Sequence, residues 1–119
     1  MLGTRLYSKY GNRVTTATTE ILYDRILADP QLAPFFEGVD IDRLREHMSD
    51  ILSMIIGGPD LYQGRDLKEA HAAYKIRMDD FNRVAAHLAA SLSIAGVEDE
   101  DVTTIMAEVA KSAPLVVTA

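Results

Sequence analysis

A chain of 119 residues with 48% hydrophobic and 25% charged side chains is sized and balanced for one soluble domain around one core. Its 12 Lys and Arg are scattered and face 18 Asp and Glu, leaving a net charge of −6 that argues against nucleic acid and anionic membrane surfaces as partners. There is no cysteine, which excludes disulfides, thiolate metal sites, thiol catalysis and thioether attachment of a cofactor.

No apolar run is long enough to cross a bilayer and no basic-then-apolar leader pattern opens the sequence, so the expected compartment is the cytoplasm. In chain order, Val14, Ile21, Leu22, Ile26 and Leu27 predict a helix that ends at "ADP", at Asp29-Pro30. The short connection "QLAPFFEG" carries two adjacent phenylalanines, Phe35 and Phe36. Asp40 reads as the N-cap of the next helix. In "LREHMSDILSMIIGG", a turn of about 100° per residue sets Leu44, Met48, Ile51, Leu52 and Ile55 on one side. His47 falls inside that stripe, where an imidazole must find a partner or lose stability. The helix ends at "GGP", Gly57 to Pro59.

"DLYQGRD" is irregular, and "LKEAHAAYK" predicts a short, weakly amphipathic helix that carries His71. Phe81, Val84, Ala85, Leu88, Ala89 and Leu92 then follow helical spacing until Gly96 stops the run. Acidic residues crowd positions 98 to 101, as suits a helix start, and Val102, Ile105, Met106 and Val109 form the last amphipathic stripe before Pro114. No strand or hairpin pattern competes. The fold class is all-α, closing either as a bundle or around a cofactor in its middle.

The chain has no G-x-S-x-G, P-loop or HExxH motif. "VEDEDVTTI" lacks the glycine and terminal glutamate of a calcium loop and reads as a helix start. Metal chemistry therefore falls to three imidazoles. His71 is either a surface histidine or the axial ligand of haem iron, with its second ring nitrogen held by a free carbonyl of its helix. His47 is either a core histidine satisfied by a carbonyl or by Tyr23, or a second ligand. His87 has no second metal-binding group at helical spacing and reads as structural.

Taken together, "LYDRILADPQLAPFFEGVDIDRLREH", "GGPDLYQGRDLKEAH", "FNRVAAHLAASL" and "GVEDEDV" resemble the group I truncated haemoglobins in order and spacing, with no insertion from Tyr23 to Val84. Each motif is weak alone, and the resemblance covers nearly the whole chain. It implies a single globin domain over residues 1–119: a two-over-two helical sandwich, helices B and E on G and H, enclosing non-covalent haem b. Residue by residue, His71 matches the proximal iron ligand. Tyr23 matches the distal tyrosine whose hydroxyl hydrogen-bonds O2, and is the candidate catalytic residue. Phe36 matches the phenylalanine on the haem face, and Leu44 a position often held by a distal histidine or glutamine. Met48 follows His47. Leu67, Ile76, Phe81 and Val84 match apolar pocket walls, and Tyr62, Arg43 and Lys68 the propionate side. In some members a histidine matching His47 binds the sixth position of iron; the alternative is that it contacts a propionate.

Three departures stand out. The family's Gly-Gly pair after the first short helix is here "YGN", Gly11-Asn12, which leaves the form of that helix open. The usual distal glutamine is Met48. No histidine follows His87, so the covalent link between a haem vinyl and a late histidine found in a subset of the family cannot form, and the haem should be extractable. The resemblance implies reversible binding of O2, NO and CO; the alternatives are NO dioxygenase with a separate reductase, an electron-transfer role, and a haem-free helical interaction domain. A monomer or weak dimer is expected.

Overall fold

The computed structural model describes residues 5–57 and 76–111, apart from the side chains of Arg5, Asn12 and His47. The expected helix around "LKEAHAAYK", with His71, and the residues Tyr62, Leu67 and Lys68 lie outside the described residues, as do Pro59 and Pro114. Within them are four helices and one 3₁₀ turn: α1 (Arg5–Leu27), the 3₁₀ turn Ala33–Phe36, α2 (Ile41–Ile55), α3 (Met78–Ile94) and α4 (Asp99–Ala110). No strand occurs among the described residues, and none of their helices is long and apolar enough to cross a membrane.

Helix α1 packs on both α2 and α3, and α4 packs on α3 and α2. The core between them is Leu6, Leu22, Tyr23, Ile26, Leu32, Leu52, Ile56, Leu88, Leu92, Val97 and Ile105. The inward face of α1 differs from the apolar stripe expected for it. Leu22 and Ile26 are buried, but Leu27 is 40% exposed and Thr15, Thr18 and Thr19 are buried in its stead. The wheel explains this: Leu27 stands about 140° from Leu22, whereas the three threonines fall within about 60° of it. Two of the three hydroxyls are accommodated locally, while the buried Thr18 Oγ1 has no hydrogen-bond partner among the described residues. The Thr19 hydroxyl donates to the Thr15 carbonyl at 2.6 Å, Ser49 on α2 donates to Thr15 Oγ1 at 3.3 Å, and the Thr15 and Ser53 hydroxyls lie 3.5 Å apart.

Gly11 breaks α1 into two segments. Its backbone angles (φ 68°, ψ −170°) are open to glycine and strained for other residues. The segment before it is a strap across the bundle. The Tyr7 amide donates to the Ile56 carbonyl at 2.9 Å, and Lys9 and Tyr10 both reach the buried Asp101 in the first turn of α4. Asp40 caps α2 as expected, accepting from the Arg43 amide at 3.2 Å. Helix α3 closes at Gly96 (φ 104°), where Val97 N donates to Leu92 O and Gly96 N to Ser93 O. That pair of bonds satisfies two end carbonyls and turns Val97 into the core beside Leu92.

Candidate functional site

Tyr23 sits where the inward face of α1 changes from hydroxyl to apolar, one turn beyond Thr19 and one before Ile26. Only 5% of it is exposed. The Phe36 ring meets it edge-on, with centroids 6.0 Å apart and planes at 85°, a geometry that contributes about 0.5–1.5 kcal/mol beyond burial. Among the described residues, none hydrogen-bonds the Tyr23 hydroxyl. Burial pushes its pKa up to about 12, partly opposed by the nearby Arg45 charge. The phenol therefore stays neutral at ordinary pH and keeps its proton for donation.

Phe36, Leu44, Met48 and Val84 pack against the same core as Tyr23 yet remain half-buried. Ile76 and Phe81, expected as pocket walls, are also half-buried, though neither belongs to the packed core. The set is apolar, drawn from the 3₁₀ turn, α2, α3 and the residue before Arg77. The main chain of α2 includes position 47, one turn after Leu44. Arg43 is exposed, and its amide engages the Asp40 cap.

Arg45, rather than Arg43, is the cation whose charge reaches Tyr23, and the spacing did not single it out. Its guanidinium lies 3.2 Å from Asp42 and 3.6 Å from Asp24, and its buried Nε has no hydrogen-bond partner among the described residues.

A polar cluster stands at the end of α1. Asp29 Oδ2 accepts from Arg83 Nε at 2.6 Å and lies 2.8 Å from His87 Nε2. Asp29 is held well below the usual carboxylate range, first by Arg83 and then by His87. An ionised carboxylate only accepts, so the His87 ring must carry its proton on Nε2. Beside it, Gln31 Nε2 donates to the buried Asp80 at 3.0 Å, and this bond with that of the Arg77 amide lowers the Asp80 pKa as well. His87 is thus engaged by Asp29. Among the described residues no group of three His, Cys, Asp or Glu is placed to hold a metal ion.

Comparison with known proteins places these features in a wider set. The sequence family described as bacterial-like globin matches residues 5–117. A group 1 truncated haemoglobin of Mycolicibacterium paratuberculosis is 37% identical over 108 residues, covering 91% of this chain and 79% of its own. The group 1 truncated haemoglobin of Synechocystis is 35% identical over 112 residues, covering 88% and 86%. Among solved structures, the truncated haemoglobin of Tetrahymena pyriformis in its Fe(III) form superposes with a TM-score of 0.87 at 27% identity, covering 94% of this chain and 97% of that one. THB1 of Chlamydomonas reinhardtii gives 0.77 at 37% identity, with 93% and 94% covered.

Proposed function

From the premise that this chain belongs to the bacterial-like globin family, and within it to the group 1 truncated haemoglobins, we propose that it binds O2, NO and CO reversibly, with Tyr23 as the donor to the ligand. As a member of that family it is a haem-binding globin, and the haem is haem b. The described residues fit the group: Tyr23 is buried with no hydrogen-bond partner among them, and the apolar Phe36, Leu44, Met48 and Val84 packed on the same core stay half-buried.

Bound haem supplies an iron atom able to take a diatomic ligand. In our reading His71 holds that iron on one face, as the proximal ligand. Phe36, Leu44, Met48, Leu67, Ile76, Phe81 and Val84 keep water from the pocket, and Tyr62, Arg43 and Lys68 serve the propionate side. Tyr23 would then donate a hydrogen bond to a ligand that carries partial negative charge, with Phe36 orienting the phenol. The chain acts as one cytoplasmic globin domain, a monomer or weak dimer.

The observation that carries this reading is Tyr23, a buried residue whose hydroxyl makes no hydrogen bond to the described residues. A hydrogen bond to a charged ligand contributes about 1.5–3 kcal/mol, or roughly ten- to hundredfold in O2 release. Stopped-flow displacement on Tyr23→Phe should show O2 leaving faster by that factor while CO release changes little. Equal O2 release in both proteins removes Tyr23 from the role.

The same reading gives His47 the sixth position of the iron, since position 47 follows Leu44 by one turn of α2. The ferric protein should then be low-spin and become high-spin in His47→Ala. A high-spin wild type at neutral pH contradicts it.

A further inference from the structure

Asp29 joins three parts of the molecule. Its amide donates to Ile26 O at the end of α1, and its carbonyl accepts from the Leu32 and Ala33 amides that open the 3₁₀ turn. Its carboxylate takes the Gln31 amide on one oxygen and Arg83 and His87 of α3 on the other. The Gln31–Asp80 bond ties the same corner to α3 a second time. The turn so fixed carries Phe36, whose ring is set edge-on against Tyr23.

Of the groups in this clasp, His87 is the only imidazole, the side-chain class that serves proteins as a proton-dependent switch. A cleft of about 370 Å³, lined by Arg25, Ala28, Asp29, Pro30, Arg83 and His87, opens it to protons from solvent. The charged groups facing it are Arg25 from α1, Asp29 from the corner and Arg83 one turn earlier on α3; no residue of α4 lines the cleft. Protonation converts a neutral N–H···O⁻ bond to Asp29 into a charge-assisted one, which is shorter and stronger.

We propose that Asp29 and His87 are positioning residues for the Tyr23 phenol, the charge of His87 being passed through Asp29 and the 3₁₀ turn to the Phe36 ring. The proposal rests on the reading of Tyr23 as ligand donor, and it makes the setting of that donor responsive to pH. The test is NMR of the ferrous CO complex, following the rings of His87, Phe36 and Tyr23 from about pH 5 to about pH 8. The Phe36 and Tyr23 signals should move with the same midpoint as His87. That step should vanish in His87→Gln, whose amide still donates to Asp29 but does not titrate. Signals that stay flat while His87 titrates, or a step that survives in His87→Gln, overturn the proposal. Should the variant not fold, the wild type decides: coincident midpoints support the coupling and separate ones refute it. The readout does not involve O2, so unchanged O2 release in Tyr23→Phe would remove the donor role and leave the coupling to be judged on its own.

Discussion

Tyr23 joins two properties that pull against each other: a large ring that the core favours and a hydroxyl that burial penalises. The penalty on its charged form gives a direct prediction. Its folded pKa is raised to about 12 from an ordinary 10.0, so the neutral phenol contributes stability in full below about pH 10 and loses it as pH rises through about 12. In an alkaline titration followed by phenolate absorbance, one of the five tyrosines should ionise last, and that late step should be missing in Tyr23→Phe. An unchanged titration would mean that the phenol is not desolvated. At this scale the sequence was only partly legible. Tyr23 lay outside the apolar stripe read for α1; it was named from the residues only as a possible partner of His47, and its donor role entered through the family resemblance. The Asp29 cluster was not visible, because its partners Arg83 and His87 lie 54 and 58 residues away and only the fold brings them together. His87, read as structural for want of a companion ligand at helical spacing, lies against Asp29.

Among the elements, those with chemical punctuation were readable. Asp40 caps α2, Gly96 ends α3, and the acidic run opens α4 with Asp99, Glu100 and Asp101 in its first turn. Helix α1 was harder, because a pattern that counts only apolar residues passes over threonines whose hydroxyls bond to the helix's own carbonyls and to serines of α2. Its first segment was left open, and the structure supplies the reason: the break falls on Gly11 in a conformation that composition does not announce. A Cβ added at Gly11 would meet nothing within 4 Å, so the cost of Gly11→Ala is wholly one of backbone conformation. It should be about 1–3 kcal/mol, read as a lower urea midpoint with an unchanged slope. No loss would mean that the strap bearing Tyr7, Lys9 and Tyr10 can leave α1 by another route.

At the scale of the whole molecule, α1 packs on α2 and α3, α4 packs on the same two helices, and several apolar residues on this core remain half-buried. Phe36, Leu44, Met48 and Val84 pack against the core and stay half-buried, as suits a fold whose centre is completed by a cofactor. The central claim is that this cofactor is haem gripped by His71, and it is tested most directly by the absorption spectrum of the protein mixed with an equal molar amount of hemin, beside His71→Ala. The wild type should develop a sharp Soret band and a ferrous CO spectrum typical of imidazole ligation; His71→Ala should lose both and regain them when free imidazole is added. A wild type that stays colourless, or a Soret band unchanged by the substitution, would contradict the account.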